Sequence, residues 1–196
     1  MDAKNQNVET PSEPTAEQIE AYKKEKRAEL EATFNEIIKS PAPLFFRGSW
    51  AGELLSGTPS EHGDIDLYFD EKNQDEFIEF LDNNGFHAEQ TADGKFSVNK
   101  GRALFDCHKW KTEGDYYVQE APYGTFYFPK EGFVTIERNG NQVNIMSPEL
   151  MWIMKKGGPA LDASRKSNLD KLSEFIDPAK LQTISSKFKY IPPAKT

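Results

Sequence analysis

One cysteine, Cys107, and three histidines are all that the 196 residues offer of the softer metal ligands. A single thiol excludes an internal disulfide framework and the multi-cysteine zinc patterns, and it fits a reducing compartment. Long hydrophobic runs are missing as well. No stretch approaches the roughly eighteen apolar residues of a membrane span, and the N-terminus has no basic flank leading into an apolar segment. Positive charge is in deficit: 24 Lys and Arg stand against 32 Asp and Glu, for a net charge of −8. That balance argues against general affinity for nucleic acid or an anionic membrane, and would suit a small cationic ligand. The expectation is a cytoplasmic protein with neither nucleic acid nor membrane among its partners. Its length allows one sizeable core with at most a small appendage.

What is present is a spaced set of acids. Gly48-Ser49-Trp50 precedes Asp64-Ile65-Asp66, and a third acid, Asp106, lies within the apolar run Ala103-Leu104-Phe105-Asp106-Cys107. On a strand, residues i and i+2 project to the same face, so Asp64 and Asp66 would stand together while Ile65, Leu67 and Phe69 face the other way. Carboxylates that close repel one another unless a cation or donor lies between them, and no basic residue stands near them in sequence. Mg²⁺ needs only one or two carboxylates plus phosphates and water, so the layout suits a divalent ion held against a nucleoside triphosphate. Asp106 would complete the cluster through sheet pairing. Gly48-Ser49 would let backbone N–H groups approach phosphate. The alternative is a pair of solvent-facing acids on an edge strand.

The surrounding pattern predicts a polar, disordered leader over 1–13 and a helix from Thr15 to about Lys39, with Ile19, Tyr22, Leu30, Phe34, Ile37 and Ile38 on its apolar face. Then come a strand at Leu44–Phe46, a short helix at Trp50–Leu55, a strand at Ile65–Phe69 and a helix capped by Asn73 and ended by Asn83-Asn84-Gly85. Strands follow near Phe86–Gln90, Lys95–Val98, Arg102–His108, Tyr116–Val118 and Phe126–Phe128. A hairpin turns on Asn139-Gly140. Ser147-Pro148 opens a helix that Gly157-Gly158 ends; further helices run from Ser164 to Phe175 and from Pro178, before a loose tail at Pro192-Pro193. This order predicts an α+β fold: a mixed sheet with an N-terminal helix and a small C-terminal helical appendage.

The stretch from Phe46 to Asp70 resembles the DNA polymerase β-like nucleotidyltransferase superfamily, and within it the small aminoglycoside and lincosamide nucleotidyltransferases. The motif is carried by Gly48, Ser49, Trp50, Ala51, Glu53, Leu55, Gly57, Glu61, His62, Asp64, Ile65 and Asp66. Phe105-Asp106-Cys107-His108 is similar to the family's later acid-containing segment. Ser147-Pro148-Glu149, Arg165-Lys166 and Asp170-Lys171-Leu172 are similar to its C-terminal part. Three positions depart: Ser60 replaces an arginine, Glu53 an aspartate and Ser167 an acid. The resemblance implies a nucleotidyltransferase domain over 14–146, a helical appendage over 147–190 and a tail over 191–196.

It further implies transfer of a nucleoside monophosphate, AMP from ATP above other NTPs, onto a hydroxyl of a small molecule such as an aminoglycoside or lincosamide. Asp64 and Asp66 would bind two Mg²⁺ ions, with Mn²⁺ an alternative, and Asp106 would be a third ligand or the general base. Gly48, Ser49, His62, Arg165 and Lys166 are the nucleotide-binding candidates. His62 reads equally as a loop histidine, and Lys155-Lys156 and Arg165-Lys166 equally as helix-end cations. His108 reads as a supporting group beside the metal or, more simply, as a surface histidine. Trp110, Tyr116, Tyr117, Tyr123, Phe126 and Tyr127 could line an acceptor pocket or form the strand-layer core. Cys107 reads as a small buried hydrophobe. Rival functions are a non-catalytic, antitoxin-type nucleotide-binding module and nucleotidyl transfer to a protein.

Overall fold

The computed structural model describes residues 14–59, 63–156 and 172–193. Expectations for the leader, Ser60, Glu61, His62, the Gly157-Gly158 stop, Arg165, Lys166, Ser167 and most of the helix from Ser164 lie outside these residues. The chain opens with α1 (Ala16–Ile37). Thr15 Oγ1 accepts the N–H of Gln18 at 3.2 Å, and Gln18 Oε1 accepts that of Thr15 at 2.8 Å, a reciprocal capping box. Leu30, Phe34 and Ile37 are buried, whereas Ile19 and Tyr22, expected on the same apolar face, are exposed. The buried residues lie in the C-terminal half of the helix; Tyr22 instead lies under the Arg102 guanidinium at 5.3 Å.

Next come β1 (Leu44–Phe46), α2 (Gly48–Ser56), β2 (Ile65–Asp70), α3 (Gln74–Asn83), β3 (His87–Gln90), β4 (Phe96–Lys100) and β5 (Ala103–Glu113). β2 runs antiparallel to β1 and parallel to β5; β5 also pairs antiparallel with β4, which carries β3. The apolar run Leu67–Phe69 of β2 follows from this central place: Ile65, Leu67, Tyr68 and Phe69 are all fully buried, so beyond Asp66 both faces are covered.

The chain then forms β6 (Tyr116–Ala121), β7 (Gly124–Pro129), β8 (Phe133–Arg138) and β9 (Asn141–Met146). The β8–β9 hairpin turns at Asn139 and Gly140, both with positive φ, as a two-residue turn demands. β9 lies parallel to β1, and α4 (Pro148–Lys156) and α5 (Pro178–Lys187) follow. A last strand, β10 (Lys189–Ile191), pairs with β7. The sheet order is β10-β7-β6-β5-β2-β1-β9-β8, with β3 and β4 branching from β5. The fold is the expected α+β arrangement. No helix among the described residues is long and apolar enough to cross a membrane.

Four details depart from the sequence reading. β5 continues past His108 to Glu113 by exchanging β4 for β6 as its antiparallel partner. α2 begins at Gly48 rather than Trp50. Asn73 makes no capping bond: a 3₁₀ turn at Glu71–Asn73 intervenes, and Asp70 caps it by accepting the N–H of Lys72 at 3.1 Å. β10, read as part of a terminal helix and tail, joins the sheet.

Candidate active site

Register decides which side chains meet. In the parallel β2–β5 pair, Asp66 stands opposite Asp106, Tyr68 opposite His108 and Asp70 opposite Trp110. Partners in register share a face, so Asp66, Asp106 and His108 project together while Leu67 and Cys107 enter the core on the other side. Ligand atoms of Asp66, Asp106 and His108 all lie within 4.8 Å of one another. Asp64 precedes β2 and is outside that trio. It is near enough to feel it: burial, then the charges of Asp66 and Asp106, raise its carboxyl above the ordinary range. Cys107 is fully buried, its thiol pushed well up by burial, as suits a packing residue rather than a nucleophile.

Two cations that the sequence reading overlooks sit among these acids. The Arg47 backbone N–H donates to Asp66 O at 3.0 Å, continuing the β1–β2 ladder and placing the side chain beside Asp66. Arg47 Nη2 is 3.1 Å from Asp66 Oδ1 and 3.1 Å from His108 Nε2, and the guanidinium lies 5.0 Å from the Tyr68 ring centroid. Lys95, at the end of the β3–β4 turn, donates to Asp106 Oδ2 at 2.5 Å; this bond chiefly holds its ammonium above the usual lysine value. The signal for Arg47 was its place between an apolar strand and Gly48-Ser49. Lys95 had none, because only the β4–β5 pairing brings it to Asp106.

His108 is not a surface residue. Its side chain is 14% exposed, and burial followed by the Arg47 charge pushes its pKa down to about 4. The imidazole is therefore neutral near pH 7, and because Arg47 only donates, Nε2 is an acceptor. On its far side Nδ1, which then carries the ring proton, lies 3.3 Å from the Gln119 side-chain amide, whose other end is 2.9 Å from Tyr68 Oη. Gln119 is buried and belongs to β6, so the strand exchange of β5 is what orients the ring. Tyr68 and Tyr117 stack on Trp110 at 4.7 and 4.2 Å between centroids, backing the site with a rigid aromatic layer.

Gly48, with φ of 72°, opens α2 hard against Asp66: a Cβ there would lie 2.7 Å from Asp66 Oδ2. The first-turn N–H groups of Gly48, Ser49 and Trp50 begin at this point, where the helix dipole favours negative charge. A cleft of about 210 Å³ adjoins it, lined by Arg47, Gly48, Asp66, Met146, Met151, Met154 and Lys155. A second, of about 200 Å³, includes Lys95, His108, Trp110, Gln119 and the 58%-exposed Tyr123. The trio thus has one depression at Asp66 and another at His108. Of the expected site residues, Gly48, Asp64, Asp66 and Asp106 converge here, and Ser49 follows Gly48 in the first turn of α2. Of the aromatics, Trp110 is a buried core residue at the floor of the second cleft, whereas Tyr123 stands exposed at it.

A family profile described as aminoglycoside-2''-adenylyltransferase matches residues 22–170. Comparison with curated proteins gives no match. Among solved structures, the chain is similar to ANT(2'')-Ia in complex with adenylyl-2''-tobramycin, at 18% identity and a TM-score of 0.55, covering 88% of this chain and 96% of that one. It is also similar to the lincomycin-bound lincosamide antibiotic adenylyltransferase LnuA, at 17% identity and a TM-score of 0.59, covering 78% and 97%. At such identities the structures speak for the fold, while the profile spans most of the chain and all the acids described above. The chain belongs to the aminoglycoside-2''-adenylyltransferase family and is a nucleotidyltransferase.

Proposed function

We propose that the protein transfers the adenylyl group of ATP to a hydroxyl of a small, antibiotic-like acceptor. The observation that carries this reading is the register pair Asp66–Asp106, held with His108 against the start of α2 and between two clefts. The donor set fits a divalent ion: two carboxylates and a neutral imidazole have ligand atoms within 4.8 Å, and Asp64 adds negative charge beside them. Asp66, Asp106 and His108, with Asp64 adjacent, would hold Mg²⁺ or Mn²⁺, two ions in the full complex. Bound there, the metal would orient the triphosphate and neutralise charge on the pyrophosphate leaving group.

The chain's own groups divide the remaining work. Arg47, Gly48 and Lys155 line the first cleft and, with the first turn of α2 that Gly48 and Ser49 open, would bind the triphosphate. His62, Arg165 and Lys166 are assigned to the nucleotide on resemblance alone. The second cleft would take the acceptor, with Tyr123 as a stacking surface at its rim. Asp106, bonded to the Lys95 of that cleft, would accept the hydroxyl proton as the acceptor oxygen bonds to the α-phosphorus and pyrophosphate departs. We place the catalytic domain at 14–146 and an appendage at 147–190 that carries α4 and α5 and returns to the sheet at Lys189 and Tyr190.

The test is a labelled-NTP transfer screen against aminoglycosides, lincosamides and total cytosolic protein. Label should pass to a small molecule, with ATP the best donor. Asp66→Asn and Asp106→Asn should each lower turnover by at least about a hundredfold while remaining folded. Label found only in the protein fraction would move the acceptor to a polypeptide. Nucleotide binding without transfer to any fraction would indicate a regulatory module.

A further inference from the structure

Arg47 makes an unusual set of contacts. One nitrogen, Nη2, lies 3.1 Å from Asp66 Oδ1 and 3.1 Å from His108 Nε2, two atoms that are themselves 4.0 Å apart. Both belong to the trio of potential metal ligands. The guanidinium therefore draws on the lone pairs that a divalent ion between Asp66 and His108 would need. The same residue lines the cleft at Gly48, and its Nε is buried without a hydrogen-bond partner among the described residues. A guanidinium carries five N–H donors, and among the described residues the one on Nε has no acceptor in this arrangement. A buried donor left unmatched costs free energy, which a second arrangement offering it an acceptor would recover. Phosphate oxygens in the adjoining cleft supply that acceptor, with bidentate geometry matched to the fork.

We propose that Arg47 couples metal loading to nucleotide arrival: it competes with the divalent ion for Asp66 and His108, and releases them when its guanidinium turns to the β- and γ-phosphates of the incoming triphosphate. This rests on the nucleotidyltransferase reading and adds a positioning role for a residue outside the acid motif. Its consequence is a pair of effects with opposite signs. Removing the guanidinium should improve binding of metal alone, because a competing cation is gone, and should impair binding of triphosphate, because its contact is gone. A purely structural arginine gives no such pair, since damage to the site weakens both.

The experiment uses the full chain as wild type, Arg47→Met and Arg47→Lys. Binding of Mn²⁺ alone is followed by the electron paramagnetic resonance of the free ion. Binding of ATP and of AMP at saturating Mg²⁺ is followed by calorimetry. Arg47→Met should bind Mn²⁺ at least about threefold more tightly and ATP about tenfold more weakly, on the scale of a charge-assisted contact, with AMP changed less than about twofold. Arg47→Lys keeps a competing positive charge but lacks the bidentate fork for phosphate, so it should shift in the same two directions by less. If Arg47→Met fails to fold, the lysine variant decides by those signs. Unchanged or weakened Mn²⁺ binding, or equal losses for ATP and AMP, would overturn the coupling. Absence of metal-dependent nucleotide binding by the wild type would instead overturn the reading on which it rests.

Discussion

Gly48 answers two demands at once, a left-handed backbone and an approach to Asp66 that leaves no room for a Cβ. Any L-residue there pays for φ of 72° and must also displace the carboxylate it would touch. Gly48→Ala should therefore cost about 1–3 kcal/mol of stability and lower turnover by about a hundredfold, as expected for a misplaced reactive group. Denaturant unfolding and steady-state kinetics of that variant check both, and a stable, active alanine variant would remove Gly48 from the site. Its place beside the acids was legible in the sequence because Gly-Ser before a D-x-D strand is a local pattern. Arg47, Lys95 and Gln119 were not, because each acts through pairing: Arg47 through the β1–β2 ladder, Lys95 through β4–β5, and Gln119 through the strand exchange of β5. His108 was legible as lying on Asp106's face, but its burial follows from β6, which periodicity within β5 cannot show.

At the level of elements, local signals set most of the order. The Thr15 capping box, the Asn139-Gly140 turn and the Ser147-Pro148 helix start each satisfy backbone groups from nearby sequence, so they survive in the fold. Elements whose ends depend on distant partners were misjudged, as with the second half of β5 and with β10. α4 and α5 meet in a similarly non-local way. Glu149 on α4 is buried, accepts the N–H of Asp177 at 3.0 Å and lies 3.5 Å from Lys180 Nζ, both at the start of α5. Burial alone would raise its carboxyl, but the Asp177 N–H, the Ser147 hydroxyl and the Lys180 charge together bring it below the ordinary value of 4.5. A depressed folded-state pKa stabilises the protein above the unfolded value, and that contribution fades as pH falls from 4.5 through the folded one. Glu149→Gln should cost about 1–3 kcal/mol at pH 7 and flatten the acid limb of the stability profile. Urea unfolding at pH 7 and pH 4 measures both; equal destabilisation at the two pH values would mean that the charge of Glu149 is not what joins the helices.

For the whole molecule, net charge and local charge point to different acceptors. A total of −8 would draw in a polycation from a distance. The cleft at His108 does not continue that field. Lys95, Lys109 and Lys111 match Glu71, Asp93 and Glu120 in number along its lining. Lys111 lies 3.5 Å from Glu120, Asp93 accepts from Thr91, and the nearby Asp106 is bonded to Lys95. A polycationic acceptor would have to break such contacts to find carboxylates, whereas an acceptor with one amine and several hydroxyls could use the same groups as they stand. The long-range field raises encounter rates and is screened over a Debye length of about 10 Å at 0.1 M salt, while the contacts inside the cleft are much less sensitive to salt. Lincomycin should therefore be the better acceptor by kcat/KM at 0.15 M salt, with a KM that changes less than about twofold between 0.02 and 0.3 M, while that of tobramycin rises about tenfold or more. Acceptor kinetics across that salt series decide the matter. If tobramycin is preferred at 0.15 M salt with a KM indifferent to ionic strength, paired carboxylates do not govern acceptor choice, and the residues that do must lie outside the Lys95 cleft.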